Sequence, residues 1–341
     1  MFRKLLNNYY YGKSGKGDYR KGDLPQNRWQ QFREILRVRL AGLFRLNLMT
    51  ALAFVPAIYV LIITLNALFA HLIIIAEVAA DQAAASAEYL AIFNNSSQEV
   101  YSILFTGCLL LIPAIAITGP VQAGMALVTR NWARDEHAFV WSDFLDALKA
   151  NWKQALGVSL ITGLLPLVVL VSYQFYGAMA QNSVFFVLPQ MLVVGLGIIW
   201  ILMLVHLYPM LVTYDMNFKT LVRNALLLAL GRLPHTAGVR LVMLVPSGIA
   251  IIVSLTTPHW MYAVMALAGY YLLIGNALAR FVYAAFTNAV FDRFINVRIP
   301  GAQVNRGLAD PEDLDDLYED EGPEDGMETA SAPGDSPGSL V

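Results

Sequence analysis

Four polar residues share one face of a predicted helix within an apolar stretch late in the chain. Asn276, Arg280, Tyr283 and Thr287 are separated by four, three and four positions, which is the spacing of neighbours on a helix surface. Charges inside membrane spans are costly and usually functional, so Asn276 and Arg280 are candidates for lining a bundle interior. Arg280 could instead reach the inner membrane surface as an anchor. We favour anchoring, because no acidic residue in any predicted span could pair with Arg280.

The stretch Asp135–Glu136–His137 contains residue types that serve as metal ligands or as general acids and bases. Consecutive helical residues point in different directions, and no second cluster would complete a set of ligands. We therefore predict an ion-paired turn that joins Glu136 to Arg130 and Arg134. No spacing in the chain is typical of a zinc site or a Ser/His/Asp triad. We expect no catalytic residue, no metal, no cofactor and no enzymatic activity.

Gly119 and Pro120 interrupt the inner end of the second apolar run. Proline removes a helical hydrogen bond, so such a break leaves backbone carbonyls that need partners. Broken spans bind substrates in some transporters. They also mark the point where a span ends and a connector begins. We favour the second interpretation, because the other half of the chain shows no matching break.

The polar connector after the second run contains an amphipathic helical pattern. Its apolar face carries Trp141, Phe144, Leu145, Leu148 and Trp152. Its charged face carries Asp143, Asp146, Lys149 and Lys153. Ser142 is the predicted N-cap, and Asp143 falls in the first turn, where the helix dipole favours an anion. We predict a partner-binding or structural surface here that includes Trp141, Asp143, Phe144, Trp152 and Lys153.

A later connector has a similar layout. Its predicted apolar face carries Phe218, Leu221, Val222, Ala225 and Ala229. Gly231 and Pro234 are suited to ending that helix. The likeness of the two connectors is loose, and it permits a duplicated unit made of an interfacial helix followed by a span.

Composition and apolar run lengths indicate the fold class. The chain is 57% hydrophobic and only 14% charged, and a span needs about 20 apolar residues. Six runs meet that length: 46–76, 100–128, 155–180, 184–213, 238–257 and 260–288. We predict an all-α, polytopic helical membrane protein with about six transmembrane helices and amphipathic interfacial helices on the cytoplasmic side.

The distribution of positive charge predicts the orientation. All 23 Lys and Arg residues can be placed on one side of a membrane, and eleven of them precede the first span. The loop 77–99 on the other side carries acids only: Glu77, Asp81, Glu88 and Glu99. Basic loops remain cytoplasmic during insertion. We expect a multi-pass protein of the cell membrane with both termini in the cytoplasm.

The two ends of the chain differ in charge and give three predicted regions. Residues 1–45 form a basic arm and an interfacial helix, which we expect to contact membrane lipid. Residues 46–290 form the six-span domain. Residues 291–341 form an acidic tail that is too poor in apolar residues to order itself. The GKSGKG stretch lacks phosphate-loop spacing, and we expect no nucleic-acid partner.

The stretch from residue 117 to residue 156 resembles the YesL-like family of bacterial membrane proteins. The features that carry the resemblance are Gly119–Pro120, the turn from Arg130 to Glu136, Trp141–Ser142–Asp143–Phe144 and Asn151–Trp152–Lys153–Gln154. A second similar stretch is 214–236, and the likeness covers most of residues 40–305. Family members often occur beside genes for carbohydrate uptake and breakdown. The resemblance implies an accessory role in sugar acquisition at the bacterial cell membrane, without established chemistry.

Two functions from different classes remain open. The first is a non-catalytic accessory or scaffold protein that presents its connector helices to components of a carbohydrate importer. The second is a transport protein, either a permease-like subunit of a sugar ABC importer or a small channel. The absence of Asp and Glu from the predicted spans weakens ion-coupled transport. The sequence predicts no substrate and no oligomeric state.

Overall fold

The computed structural model describes residues 24–82 and 85–309. The basic residues before Leu24 and the acidic stretch 310–341 lie outside this part of the chain. The ten α-helices are α1 (Arg28–Ala80), α2 (Ala87–Asn94), α3 (Ser96–Ala116), α4 (Thr118–Ala133), α5 (Val140–Ala180), α6 (Val187–Leu211), α7 (Phe218–Gly231), α8 (Leu233–Thr256), α9 (Trp260–Tyr270) and α10 (Asn276–Phe294) within the described residues. Short 3₁₀ turns occupy Val184–Phe186 and Asn296–Arg298, and a π-helical turn, Tyr271–Gly275, joins α9 to α10.

Six helical stretches are long and apolar enough to cross a membrane. They are Arg28–Ala80, Ser96–Ala116, Val140–Ala180, Val184–Leu211, Leu233–Thr256 and Trp260–Arg298. No β-strand occurs in the described ranges. The predicted fold class, an all-α polytopic bundle, is confirmed.

Helix α1 unites the predicted interfacial helix with the first span. It contains 53 residues, which corresponds to about 80 Å at 1.5 Å per residue. A hydrocarbon core is only about 30 Å thick. A large part of α1, including the arginines that precede Leu46, must therefore extend beyond the apolar layer.

The predicted run 100–128 is divided between two helices. Helix α3 ends at Ala116 and α4 begins at Thr118, so the span ends twelve residues before the predicted boundary. Pro120 occupies the third position of α4, where its missing N–H costs no hydrogen bond within that helix. The apolar composition predicted one continuous helix. The helix is broken because Pro120 has no N–H that could donate to the carbonyl of Ala116.

The first connector and its span form one unbroken helix, α5. The helix begins at Val140 with Phe139 at the N-cap position, so the predicted N-cap at Ser142 is wrong. Asp143 lies in the first turn, as predicted. By contrast, α7 ends at Gly231 as predicted, and α8 begins separately at Leu233. The two connectors therefore differ in how each joins the following span.

Two apolar clusters hold the bundle together. One cluster joins α4, α5, α6, α7 and α10 through side chains that include Ala126, Val158, Leu207, Leu221 and Phe291. The other joins α1, α4, α5 and α10 through side chains that include Leu46, Val128, Trp132, Phe144 and Phe281. Helices α4, α5 and α10 contribute to both clusters. By contrast, α8 and α9 expose large apolar side chains such as Leu241, Ile252 and Met265, which suits a hydrocarbon solvent.

The polar connectors meet at one end of the bundle. Gln154 Nε2 donates to the carbonyl of Met216 at 2.9 Å, and Tyr214 Oη donates to Asn296 Oδ1 at 2.7 Å. We call this region, formed by residues 130–154, 212–232 and 288–306, the connector end. Residues 32–306 form one compact unit. Outside this unit, the described residues 24–31 and 307–309 include a backbone hydrogen bond from Ala309 to Pro25.

Candidate functional site

An ion-paired turn follows α4 at the connector end. Asp135 adopts a φ of 53°, a left-handed conformation that Asp tolerates better than most residues, and this reverses the chain. Glu136 then lies 2.9 Å from Arg134 Nε and 4.0 Å from Arg130 Nη1. Arg306 Nη1 approaches the same carboxylate at 3.3 Å. The turn joins Glu136 to both arginines expected from the sequence and to a third from the C-terminal segment.

Further polar contacts tie this turn to the end of α10. Arg134 Nη1 donates to Asn288 Oδ1 at 3.3 Å. Asn296 accepts from Tyr214 Oη and donates through Nδ2 to Asp292 Oδ1 at 2.6 Å. These bonds connect the ends of α4, α6 and α10 to the segment after α10. We call the set of Arg130, Arg134, Glu136, Tyr214, Asn288, Asp292, Asn296 and Arg306 the polar cluster.

The interior of the polar cluster is nearly full. The cavity between its side chains leaves about 10 Å³ for the centre of a water molecule, which is room for about one water. Burial lowers the pKa of Arg130, and the charge of Glu136 opposes that effect. Burial, followed by the charge of Asp292, raises the pKa of Tyr214 to about 12, so its hydroxyl remains a donor at neutral pH. The cluster fixes helix ends and has no room for an organic ligand.

The break at Gly119 and Pro120 brings α4 close to α5. A Cβ at Gly119 would collide with the Ala155 carbonyl and the Ser159 hydroxyl. Ser159 Oγ donates to the carbonyl of Ala116 at 2.8 Å, the acceptor that a residue with an N–H at position 120 would use. The break is therefore closed within the protein, in agreement with the structural interpretation of the sequence.

Phe144 packs the first half of α5 against α4. The phenylalanine is 6% exposed, and a Cβ at Gly124 would lie 2.5 Å from its ring. Asp143 lies 3.5 Å from Asn131 Nδ2. The side of α5 that carries Phe144 thus packs against α4, which is the structural alternative of the two roles predicted for this residue.

Two tryptophans on α5 remain exposed. Trp141 is 62% exposed and Trp152 is 46% exposed. They are eleven residues apart, close to three helical turns, and so lie on the same side. Lys153 is exposed beside them, with Nζ 5.6 Å from the centre of the Trp152 ring. We call Trp141, Trp152 and Lys153 the aromatic face.

The predicted polar stripe on α10 makes contacts inside the bundle. Asn276 Nδ2 lies 3.5 Å from the Tyr271 carbonyl, and Thr287 Oγ1 donates to the Tyr283 carbonyl at 2.7 Å. The Arg280 guanidinium lies 4.4 Å above the ring of Tyr208 and donates to Gln122 Oε1. Arg280 thus packs against Tyr208 of α6 and Gln122 of α4. Stacking on a buried ring offsets part of its desolvation.

Several partners of this stripe come from other helices and were not predicted. Arg240 Nη1 donates to Tyr283 Oη at 2.9 Å. Asn47 Nδ2 lies 2.8 Å from the Tyr271 carbonyl, and Asn47 Oδ1 accepts from the backbone N–H of Ala277 at 2.9 Å. Asn47 thereby occupies backbone groups that the π-helical turn releases from regular pairing. A lone Asn at the start of a long apolar run is a signal that could have identified it.

A short repeated pattern is a second overlooked signal. Leu127–Val128–Thr129 precedes Arg130, and Leu211–Val212–Thr213 precedes Tyr214. The structure brings Arg130 and Tyr214 to the same polar cluster. The two matching tripeptides thus precede residues that meet in space.

The predicted site residues consequently separate into distinct groups. Arg130 and Glu136 belong to the polar cluster, while Gly119, Pro120, Asp143 and Phe144 lie along the contact between α4 and α5. Trp141, Trp152 and Lys153 form the aromatic face. Asn276, Arg280 and Tyr283 lie on α10. No group of three or more His, Cys, Asp or Glu residues suited to a metal occurs in residues 24–82 and 85–309.

Comparison with known proteins gives one family match. The model for a family described as "Protein of unknown function, DUF624" matches residues 43–173. No curated protein and no solved structure gives a match. The matched range contains 117–156, the first of the two stretches that carry the YesL-like resemblance, and does not reach the second, 214–236. The matched family is consistent with YesL-like proteins. From α1 to the last quarter of α5, the chain is therefore similar to the DUF624 family of proteins of unknown function.

Proposed function

We propose that this protein is a non-catalytic membrane scaffold that uses the aromatic face to dock a membrane subunit of a carbohydrate importer. The observation that carries the proposal is the exposure of Trp141 and Trp152 in the first third of α5. Exposed tryptophans are characteristic of binding hot spots when protein rather than lipid covers them.

Helix length supports protein as the occupant. Helix α5 contains 41 residues, about 62 Å, and roughly half of it exceeds a 30 Å apolar layer. Lys149 and Lys153 are exposed charges and must lie at or outside the interface. Trp141 lies about 18 Å further along the axis from Lys153. If the helix continues outward from Lys153, Trp141 therefore lies beyond the hydrocarbon layer.

The aromatic face is held in a fixed position. Phe144 packs into the gap at Gly124, and the polar cluster secures the turn that precedes α5. A surface on a rigid helix loses little conformational freedom on binding. Rigid positioning therefore favours specific docking over loose adsorption.

The choice of partner follows from chemistry and resemblance. A complementary surface would offer an apolar pocket for the indole rings and a carboxylate for Lys153. The assignment to carbohydrate uptake rests on the YesL-like resemblance, and the cytoplasmic location of the connector end rests on the distribution of Lys and Arg. The function is thus a structural role on the inner membrane face.

Site-specific photocrosslinking in cells tests the proposal. A photoreactive residue at position 141 is expected to capture an importer membrane subunit that mass spectrometry identifies, and the double variant Trp152→Ala, Lys153→Glu is expected to reduce the adduct at least tenfold. Phe175 provides the control, because it is 58% exposed in the apolar half of the same helix. Adducts with lipid alone at position 141, or equal capture at 175, would overturn the proposal.

Transport is the second candidate, and the contacts of Arg280 favour it. A cation stacked inside the bundle is a common element of substrate pathways. Against this role, Ser159 occupies the carbonyl at the helix break, so that break offers no free backbone acceptor to a substrate. Uptake of labelled sugar by proteoliposomes containing this protein alone would support transport and contradict the scaffold role.

A further inference from the structure

Two arginines in the spanning helices lack a carboxylate partner. Arg240 lies on α8 and Arg280 on α10. No Asp or Glu in residues 24–82 or 85–309 comes within ion-pairing distance of either guanidinium. Two uncompensated cations in a medium of low dielectric constant strongly attract an anion.

Tyr283 lies beside the Arg240 guanidinium group. Its hydroxyl accepts from Arg240 Nη1 at 2.9 Å, and the Arg240 guanidinium lies 5.9 Å from the centre of the Tyr283 ring. Tyr283 follows Arg280 by one helical turn, and the two guanidinium groups are close enough to interact electrostatically. The side chain of Tyr283 is 4% exposed, so its contact with Arg240 lies inside the bundle.

Each arginine retains an unused hydrogen-bond donor. Arg280 Nη1 and Arg240 Nε are buried and have no acceptor. The other contacts of Arg280 are the amide oxygen of Gln122 and the face of Tyr208, and both are neutral. Buried donors without acceptors are rare in native proteins, and an oxyanion would satisfy both of these.

Helix α8 borders this position and packs against the bundle mainly through polar contacts. Thr236 Oγ1 lies 3.1 Å from His206 Nε2, and Ser247 Oγ lies 2.8 Å from Tyr271 Oη. With Arg240, these residues occur at spacings of four and seven, along one side of the helix. Large apolar side chains on α8, including Leu241 and Val245, remain exposed. The polar side of α8 that carries Arg240 therefore lies next to an exposed apolar surface.

We propose that Arg240, Arg280 and Tyr283 bind a phosphate group. Guanidinium groups match the oxygens of phosphate through paired hydrogen bonds. Arg240 lies seven residues after the start of α8, about 10 Å along its axis from the connector end, which is the depth of lipid headgroups and the upper glycerol region. The phosphate comes from an anionic phospholipid or from a soluble phosphate ester, and both present the same group.

Binding measurements on the full-length protein in neutral detergent test this proposal. The probes are phosphatidylglycerol, followed by native mass spectrometry, and glycerol 3-phosphate as a soluble competitor. Arg280→Gln and Arg240→Gln are each expected to weaken phosphatidylglycerol binding about tenfold. Arg223→Gln is the matched control, because Arg223 is an exposed cation on α7.

A conservative variant distinguishes a loss of binding from a loss of folding. Tyr283→Phe retains both charges and removes only the hydroxyl that orients Arg240. We expect this variant to elute as a single species and to lose less affinity for phosphatidylglycerol than the arginine variants. Competition by glycerol 3-phosphate indicates a soluble ester, and binding that resists competition indicates a lipid headgroup. Undetectable binding of both probes, or equal weakening in Arg223→Gln, overturns the proposal. The proposed phosphate site does not include the aromatic face. A negative result for phosphate binding therefore leaves the proposed scaffold role unaffected.

Discussion

The hydroxyl of Ser159 on α5 donates to the carbonyl of Ala116 on α3 at 2.8 Å. Pro120 cannot supply the backbone donor that would normally occupy this carbonyl. A residue 43 positions away therefore completes the helix break that Gly119 and Pro120 create. Three helices become dependent on one another at this point.

Replacing Ser159 with Ala should destabilise the protein. The Ala116 carbonyl would lose its donor in a partly buried position, at a cost of about 1 kcal/mol. The free energy of unfolding in mixed micelles measures this effect. Ser142→Ala is the control. Ser142 is exposed, and its hydroxyl lies 3.5 Å from Asp146 Oδ2, which is at the limit of a hydrogen bond. Equal stability of the two variants would contradict the assigned role of Ser159.

Adding a methyl group at Gly124 should also destabilise the bundle. Its Cβ would lie 2.5 Å from the Phe144 ring, and such overpacking costs about 1–3 kcal/mol. Gly195→Ala on α6 is a matched control, because its Cβ would meet nothing within 4 Å. In the same unfolding assay, the control should be neutral or slightly stabilised by the higher helix propensity of Ala. A neutral Gly124→Ala would mean that Phe144 adjusts freely.

Replacing Glu136 with Gln should weaken the polar cluster. Arg130, Arg134 and Arg306 surround this carboxylate, and its loss would leave like charges facing one another. The expected destabilisation is about 2 kcal/mol, a typical value for hydrogen bonds to charged groups. Asp146→Asn, at an exposed position on α5, should change stability much less. If both variants unfold alike, the ion-paired turn contributes no stability.

Tyr214 should make stability sensitive to high pH. Its folded-state pKa of about 12 exceeds the ordinary value of 10.0, so the folded protein favours the protonated phenol. The resulting stabilisation is fully present below pH 10 and is lost as the pH rises through 12. Between pH 10 and pH 12, the free energy of unfolding should therefore decrease less in Tyr214→Phe than in the original protein. Identical slopes would exclude a raised pKa.

Cysteine labelling should establish the orientation of the connector end. Cys108 is the single cysteine, so Cys108→Ser provides a background for Lys149→Cys or Asn182→Cys. An impermeant maleimide should label position 182 in intact cells and position 149 only after the cells are opened. The reverse pattern would invert the predicted topology. It would also place the aromatic face outside the cell.

The sequence predicted the class of fold because membrane solvent demands long apolar helices. It also predicted the ion pairs of Glu136, because oppositely charged residues two to six positions apart can meet across one turn. It did not predict that Arg280 stacks on Tyr208, because the two residues are 72 positions apart and their contact depends on packing between α6 and α10. The predicted apolar run extended past the end of α3, although Gly119 and Pro120 had marked an interruption, and the start of α5 was misplaced by the prediction of Ser142 as the N-cap. Hydropathy does not register the continuity of a helix across an interface.

The π-helical turn at Tyr271–Gly275 fixes the rotational phase between α9 and α10. One extra residue in a helix rotates everything on one side of it by about 100°. Asn47 holds the extra length by bonding on both sides of the turn. Removing one residue there would restore an even spiral but rotate the lipid-facing side chains of α9 toward the protein interior. Insertions and deletions between Tyr271 and Gly275 should therefore be tolerated far less than substitutions.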